Sequence, residues 1–299
     1  MPGNRQFDEF LAGEADKYKG VYVPVRAGIL RRLFVRKAAC SRLHPNPNDE
    51  FCMPGVGPNY EIISSYEQAF RAVNRRSYMH QFVNSDKFEP LTVEMMRPDG
   101  YLILNGHHRW AGALRCGRPK LPIRIVNLTQ EMDIRKMLQN ARHTKRVTLD
   151  LDEVVFCAGN DGPAEKPLPF PLDRIYRERL RLGIPALFRF LNMNGYDIWV
   201  YTARYDSFDY IMRLFRMHHI RICGVVTGTA RKAQTGPEDR TALEKLVANK
   251  YPCTVHIDNG MVLRVVSGTR AFEEYRLSGS ADGWSREIMD IMGAWENHE

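Results

Sequence analysis

The chain has 299 residues, of which 44% are hydrophobic and 26% are charged. That length favours two domains of ordinary size, and the composition is typical of a folded globular protein rather than a disordered or fibrous one. The apolar runs are too short to span a bilayer, and the first residues lack the hydrophobic core of a signal peptide. We therefore expect a cytoplasmic protein with no membrane partner.

The six cysteines indicate neither a zinc site nor a disulfide framework, because no two of them form a C-x-x-C pair. They are scattered along the chain as Cys40, Cys52, Cys116, Cys157, Cys223 and Cys253. We expect them to be reduced.

The positive charge is confined to the first half of the chain. The net charge is +8; residues 1–145 contain 23 Lys and Arg against 14 Asp and Glu, whereas residues 146–299 contain 20 against 21. A basic domain beside a near-neutral one favours an anionic ligand on the first, whether a nucleotide, a phosphometabolite or a nucleic acid. An ordinary solvated basic surface explains the charge equally well.

The first half is predicted to begin with a polar extension, a strand and a long loop. Residues 1–20 are polar and form at most a short helix, and residues 21–25 alternate like a strand. Residues 44–58 are rich in Pro, Asn and Gly, which predicts a loop, and residues 61–74 have the spacing of a helix.

A hairpin and then a strand, turn, helix and strand are predicted further along. Pro98-Asp99-Gly100 separates two apolar runs as a turn would, and Gly117 ends a helical stretch that buries Trp110. The predicted elements are strands at 90–96 and 101–104, a helix at 107–116, a strand at 121–126 and a helix at 130–144.

The second half alternates strands and helices, which predicts a doubly wound parallel sheet. Its predicted strands are at 146–151, 197–201, 222–227 and 254–257. Its predicted helices are at 174–193, 208–218 and 240–248, followed by an amphipathic closing helix over 284–295.

The turn formed by Asn105, Gly106, His107, His108 and Arg109 is a candidate anion site. It joins a strand to a helix, so backbone amides at the positive end of the helix dipole and a bidentate arginine would meet a phosphate there. The alternative is that the two histidines cap or pack the helix. The flanking strand and the Ala/Gly-rich helix favour phosphate or nucleotide binding.

This segment resembles the ParB/sulfiredoxin fold, whose G-x-H-R or G-x-R-R turn binds nucleotide phosphates. Sulfiredoxin chemistry needs a cysteine where this chain has His107, and chromosome-partitioning ParB proteins carry a helix-turn-helix domain that is not evident here. The turn is closest to the free-serine-kinase-like branch, which implies an ATP, ADP or CTP site. By that resemblance, Asp49 or Glu50 in the upstream loop would be the base of a kinase reaction.

Two carboxylates, Asp150 and Asp152, end the first strand of the second half. In an open parallel sheet ligands bind at the carboxyl ends of the strands, so these residues lie where chemistry is expected. An isolated Asp-x-Asp is otherwise commonly a surface turn. Thr202 and Asp258 end two later strands in the same way, which favours a functional site.

The order of these motifs resembles that of haloacid-dehalogenase-type (HAD) phosphatases. The resemblance implies that Asp150 attacks phosphorus, that Asp152 acts as acid and then base, and that Thr202 holds a phosphoryl oxygen. It also implies Mg²⁺ bound by Asp150, Asp258 and the backbone carbonyl of Asp152. Many HAD enzymes have another acidic residue beside or a few residues after the last aspartate, where this chain has Asn259, which is a departure.

The basic residue that balances charge in HAD enzymes has three candidates, Arg240, Lys245 and Lys232. By distance from Asp258, Arg240 fits best, although an arginine there departs from the usual lysine. The string from Thr202 to Arg204 also resembles the phosphatase half of polynucleotide kinase/phosphatases, which implies that Arg204 lies near the reacting phosphate.

Together these features predict an α/β protein of two domains. After an extension at 1–20, an α+β ParB/sulfiredoxin-like domain covers 21–128, a linker helix covers 129–144, and a Rossmann-like HAD domain without a cap covers 145–299. An uncapped site favours a large phosphosubstrate such as a nucleic-acid end. The expected activity is that of a Mg²⁺-dependent phosphatase, coupled to a nucleotide-binding domain that is also a candidate kinase. The alternative is a nucleotide-switched DNA- or partner-binding protein with a degenerate HAD domain. The oligomeric state is left open.

Overall fold

The computed structural model divides into two compact units, Met1–Asn127 and Leu128–Glu299. It describes residues 4–18, 23–53, 55–72, 89–157, 163–229, 237–266, 272–278 and 283–296, without the side chains of residues 4, 18 and 237–241. Within these ranges no helix is both long and apolar enough to cross a membrane.

The first unit alternates short strands with helices. Its helices are α1 (Asn4–Tyr18), α2 (Ile29–Phe34), α3 (Tyr60–Ala72) and α4 (His107–Arg115), and its strands are β1 (Val23–Pro24), β2 (Lys37–Ala39), β3 (Leu43–His44), β4 (Leu91–Arg97), β5 (Tyr101–Asn105) and β6 (Lys120–Ile125). Two 3-10 turns, Cys40–Arg42 and Glu50–Cys52, lie in its loops.

These strands form one mixed sheet in the order β2-β6-β4-β5-β3, with β1 paired to β4. The β4 and β5 strands are antiparallel, which confirms the predicted hairpin, whereas β6 is parallel to β4. Helices α3 and α4 pack over the sheet, and the buried Glu67 of α3 bonds to Arg71 and pairs with Arg115 of α4. The Trp110 side chain lies in the core, as predicted, and so does that of Tyr101.

The second unit contains the predicted alternation of strands and helices. Its helices are α5 (Glu131–Asn140), α6 (Leu172–Ile175), α7 (Ile184–Met193), α8 (Phe208–Met217), α9 (Pro237–Lys250) and α10 (Trp284–Glu296). Its strands are β7 (Lys145–Asp150), β8 (Tyr196–Thr202), β9 (Gly224–Thr227), β10 (Cys253–Ile257), β11 (Met261–Val266) and β12 (Phe272–Arg276).

The sheet of this unit has the order β12-β11-β10-β7-β8-β9. The four strands β10, β7, β8 and β9 are parallel, whereas β11 and β12 are added antiparallel, so the sheet is mixed rather than wholly parallel. Because parallel strands end at the same edge, Asp150, Thr202 and Asp258 lie at that edge of the sheet, at or directly after the ends of β7, β8 and β10.

The two faces of this sheet differ in what covers them. On the first face, Val147, Leu149 and Ile198 pack in an extensive apolar core with helices α7, α8 and α10. On the second face, α5 and α9 pack around Trp199 and Tyr251. Helix α5, which the sequence suggested as a linker, is therefore part of the second unit.

The single helix predicted over residues 174–193 is wrong. The chain forms the four-residue α6, an irregular segment, and then α7. In the irregular segment the carbonyl of Arg179 accepts a hydrogen bond from the backbone N–H of Cys157, so this stretch pairs with the chain after β7 instead of coiling. Gly183, at φ +88°, turns the chain into α7.

Candidate functional site

The carboxylate of Asp150 is held by the turn that follows β7. Its Oδ1 accepts hydrogen bonds from the backbone N–H groups of Asp152 (2.7 Å) and Glu153 (2.9 Å). Asp150 thereby caps the π-helical turn Leu151–Val155. Two amide donors fix one oxygen of the carboxylate, which leaves Oδ2 for a ligand or a reacting atom.

Asp152 is joined to the end of β8 by two side chains. The buried Thr202 hydroxyl donates a hydrogen bond to Asp152 Oδ2 (2.6 Å), and Arg204 Nε lies 2.9 Å from Asp152 Oδ1. The Thr202 oxygen also accepts the backbone N–H of Arg204 (3.0 Å). The sequence suggested that this hydroxyl holds a phosphoryl oxygen, but its proton is directed at Asp152.

Asp258 and Asn259 form an exposed turn after β10. The backbone N–H of Asn259 donates to Asp258 Oδ1 (2.7 Å), and the Asn259 side-chain oxygen accepts a hydrogen bond from Arg181 Nη1 (2.9 Å). The Arg181 guanidinium in turn lies 4.2 Å from the ring centroid of Trp284. Asn259 therefore holds Arg181 beside the turn that contains Asp258.

A cavity of about 570 Å³, here called the edge cavity, opens at this edge of the sheet. Asp150, Glu153 and Asp258 provide its acidic end. Its other lining residues come from β7, β8, β10 and β11, and they are Arg146, Thr148, Leu149, Tyr201, His256, Ile257 and Met261.

The donor set of the edge cavity fits Mg²⁺. Asp150 and Asp258 line the same cavity, and Mg²⁺ commonly uses one or two carboxylates together with substrate oxygens and water. The Asp152 carboxylate is turned to Thr202, which leaves its backbone carbonyl as the third ligand that the resemblance implies. Among the described residues, no three His, Cys, Asp or Glu side chains form a cluster that could hold a metal.

Of the three basic candidates for charge balance, the structure describes the side chain of Lys245. Lys245 is exposed on α9 and does not line the edge cavity. Lys232 and the side chain of Arg240 lie outside the described residues. Among the described residues, Arg204 forms an ion pair with one of the aspartates, Asp152.

The turn Gly106-His107-His108-Arg109 of the first unit, here called the GHHR turn, depends on Gly106. This residue precedes α4 with φ +103°, and a Cβ atom there would lie 2.4 Å from Leu91 Cδ2. Glycine is therefore required both by the left-handed backbone and by the lack of space. The preceding Asn105 is exposed.

The two histidines of this turn hold the loop that was predicted over residues 44–58. His107 Nε2 accepts the backbone N–H of Asn46 (3.2 Å), and His108 Nε2 accepts that of Asn59 (3.1 Å). An imidazole that accepts through Nε2 is neutral. Consistently, burial lowers the pKa of His107 to about 4 despite the nearby Asp49 carboxylate, and burial also lowers the pKa of His108.

The remaining candidates of this turn are also bonded within the unit. The Arg109 guanidinium is buried and donates to the carbonyl of Glu89, so it is not an open phosphate clamp. Asp49 caps the following 3-10 turn by accepting the N–H of Phe51 (3.0 Å), and its Oδ1 lies 3.5 Å from His107 Nδ1. Glu50 is exposed.

Sequence reasoning missed four residues that line the edge cavity: Arg146, Thr148, Tyr201 and His256. Arg146 and Thr148 precede Asp150 at alternate positions of β7, and His256 lies two residues before Asp258. Tyr201 directly precedes Thr202. The available signal was the polar alternation in Arg146-Val147-Thr148 and Thr254-Val255-His256, which is unusual for strands buried on both faces.

Residues 61–141 match the family model of the ParB N-terminal domain. The first unit contains a ParB-like region. The match begins in α3, includes the β4–β5 hairpin and the whole GHHR turn, and ends after α5 in the second unit. The loop residues Asn46 and Asp49, which contact His107, precede the matched ParB-like region.

Among solved structures, the chain is similar to a C-terminally truncated chromosome-partitioning protein ParB from Caulobacter crescentus, complexed to the centromeric parS site. The two are 21% identical over 36% of this chain and 51% of that chain, with a TM-score of 0.22. This chain thus matches about half the length of that ParB chain. Comparison with curated proteins gave no match.

Proposed function

We propose that the second unit is a Mg²⁺-dependent phosphomonoester hydrolase of the HAD type, with Asp150 as its nucleophile. The observation that carries the proposal is the pairing of an amide-oriented Asp150 with Asp152, which is bonded to Thr202 and Arg204 at the end of the neighbouring strand. An oriented nucleophile beside a second carboxylate is the arrangement that nucleophilic phosphoryl transfer requires.

In the first step, Asp150 Oδ2 attacks phosphorus, the bond from phosphorus to the leaving oxygen breaks, and Asp152 donates a proton to that oxygen. In the second step, Asp152 takes a proton from water, whose oxygen attacks the aspartyl-phosphate. Inorganic phosphate leaves and the Asp150 carboxylate is restored. Mg²⁺ held by Asp150 and Asp258 would neutralise the charge of the phosphoryl oxygens.

Arg204 can contact the phosphate of a bound substrate. It is paired with Asp152, yet its side chain is 62% exposed, so the guanidinium can exchange that partner for a phosphoryl oxygen. Such an exchange would place a fixed positive charge on the phosphoryl group that Asp150 attacks.

The first unit is proposed to bind a nucleotide or a nucleic-acid phosphate, and the substrate of the second unit is proposed to be a phosphorylated nucleic-acid end. The ParB-like match and the 19 Lys and Arg against 12 Asp and Glu in residues 1–127 support the first unit's role. Because His107, His108 and Arg109 are bonded internally, contacts would come from the α4 backbone amides and the exposed Asn105.

The test is phosphate release with Mg²⁺ from p-nitrophenyl phosphate, phosphoserine, nucleotides and 3′- or 5′-phosphorylated oligonucleotides. We expect Asp150→Asn to abolish turnover and the exposed Asp290→Asn, which removes the same charge from α10, to retain it. Equal activity in the Asp150→Asn variant would contradict the mechanism. The preferred substrate identifies the substrate class.

If the folded wild-type protein hydrolyses none of these substrates, the second candidate is supported, a binding module with a degenerate HAD domain. The observation that favours it is Asn259, whose amide is engaged with Arg181 where many HAD enzymes carry an acid. Titration with ATP, ADP and CTP and salt-dependent DNA binding would then measure the function of the first unit.

A further inference from the structure

The second face of the sheet in the second unit is unusually polar. Parallel register places Arg146 beside Thr254 and Thr148 beside His256, so two neighbouring strands present polar side chains in adjacent rows. Strands of a parallel sheet are normally apolar on both faces, because helices cover both. Here the rows line the edge cavity or the neighbouring cavity of about 450 Å³, and Arg146, Tyr201 and His256 line both.

The Arg146 guanidinium is held rigidly on this face. Its Nε donates to Thr254 Oγ1 (3.3 Å) and its Nη1 to Tyr201 Oη (3.4 Å). Its central carbon lies 5.7 Å from the ring of Trp199 and 5.4 Å from that of Tyr251. A guanidinium fixed by hydrogen bonds and aromatic rings loses little entropy when it binds an anion.

The rings beneath Arg146 are themselves fixed. Trp199 Nε1 donates to Tyr251 Oη (3.1 Å), and Tyr251 Oη donates to the buried carboxylate of Asp197 (3.1 Å). On its other side, Trp199 packs so closely against Gly224 that a Cβ atom there would lie 2.2 Å from the indole. The platform for Arg146 is therefore preformed.

Arg146 lines both cavities, and the hydrogen bonds that hold it go to uncharged groups. Within the described part of the chain, its hydrogen bonds go to the neutral hydroxyls of Thr254 and Tyr201, and no Asp or Glu forms an ion pair with it. Thr148 Oγ1 and His256 Nδ1 are hydrogen-bonded to each other (2.6 Å) beside it. This combination of guanidinium, hydroxyl and imidazole is suited to a phosphate.

We propose that Arg146, with Thr148 and His256, binds a second phosphate group of the substrate next to the phosphomonoester that Asp150 attacks. Both groups of residues line the edge cavity, so one ligand can contact them together. The inference rests on the proposed function. A second phosphate next to a terminal one is found in a nucleic-acid end, as the adjoining phosphodiester, or in a free bisphosphate.

The first test compares a terminally phosphorylated dinucleotide with the same molecule carrying an uncharged methylphosphonate linkage. For the wild type, we expect kcat/KM to fall about tenfold or more when the linkage charge is removed, since a charge-assisted contact is lost. Arg146→Met should hydrolyse both molecules equally, at the lower rate. Arg189→Met, which removes an exposed arginine of α7, should discriminate as the wild type does.

A nucleoside 3′,5′-bisphosphate distinguishes the source of the second phosphate. Sensitivity to Arg146→Met with the dinucleotide but not with the bisphosphate assigns the site to a nucleic-acid end, and the reverse assigns it to a small molecule. If wild type and Arg146→Met lose the same factor when the linkage is neutralised, the subsite is disproved.

Equilibrium binding separates this inference from the proposed function. Calorimetric titration of the Asp150→Asn variant with both dinucleotides needs no turnover, and adding Arg146→Met should abolish their difference in affinity. Charge-dependent binding without hydrolysis in the wild type would retain the subsite and refute the phosphatase. Hydrolysis at a rate that does not depend on the linkage charge would support the phosphatase and refute the subsite. Thermal unfolding and Arg146→Lys establish that the effect is not a loss of folding.

Discussion

The hydroxyl of Thr202 donates a hydrogen bond to Asp152 across 2.6 Å, from the end of one strand to the turn after its neighbour. We expect Thr202→Val to lower kcat about tenfold or more, because Asp152 loses the donor that positions it, whereas Thr202→Ser should retain most activity. Steady-state kinetics on the preferred substrate measures both. An unchanged kcat in Thr202→Val would show that the contact has no catalytic role.

The acid role of Asp152 predicts a dependence on the leaving group. An alkoxide needs a proton as it leaves, whereas p-nitrophenolate does not, so Asp152→Asn should impair nucleotide hydrolysis more than p-nitrophenyl phosphate hydrolysis in the first step. Burst kinetics separates this step from the second. Equal impairment of the first step on both substrates would assign Asp152 another role.

The amide of Asn259 predicts a variant with altered metal dependence. Asn259→Asp keeps an acceptor for Arg181 and adds a negative charge beside Asp258, so we expect the Mg²⁺ concentration for half-maximal activity to fall several-fold. Asn249→Asp, which adds the same charge on the exposed side of α9, is the control. A metal requirement that rises in Asn259→Asp would argue against Mg²⁺ at Asp258.

The neutral His107 predicts acid sensitivity in the first unit. Its pKa falls from 6.5 to about 4 because of burial, so the unfolded chain binds a proton that the folded unit does not between these values. The contribution of neutral His107 to the free energy of unfolding is fully present above about pH 6.5. It declines as the pH falls towards 4, by on the order of 1–3 kcal/mol. Hydrogen exchange of β5 and α4 at pH 7 and pH 5 measures this, and His107→Gln should reduce the difference.

Gly106 and Gly117 allow backbone strain to be separated from steric clash. Both have positive φ, but only a Cβ at Gly106 meets another atom, Leu91 Cδ2. We expect Gly117→Ala to cost about 1–2 kcal/mol and Gly106→Ala roughly 1–3 kcal/mol more. Urea unfolding measures both. In the Leu91→Ala background the excess for Gly106→Ala should shrink, and an unchanged excess would exclude the clash as its cause.

The positions of the candidate sites could be predicted from the sequence because each follows a local pattern. Asp150 ends β7, Asp258 directly follows β10, and Gly106 lies between a strand and a helix. Such patterns depend on a few neighbouring residues, so they can be recognised in the sequence without knowledge of the fold. The helix over residues 174–193 was mispredicted since its alternative, pairing with the chain after β7, is a tertiary contact.

What each side chain bonds to could not be predicted in the same way. His107 and His108 accept amides that lie 61 and 49 residues earlier in the chain, and nothing local distinguishes them from open phosphate ligands. Arg146 was missed for a related reason, because the position of its guanidinium depends on Thr254 and on aromatic rings that the sheet brings together. Sequence located the turns and strands, whereas bonding partners needed the fold.

The contact between Gly224 and the indole of Trp199 links the outer strand β9 to the position of Arg146. A methyl group at position 224 has nowhere to go except against the indole, and the indole supports Arg146. We therefore expect a substitution at Gly224 to displace the ring that supports Arg146 and so to weaken the proposed phosphate subsite.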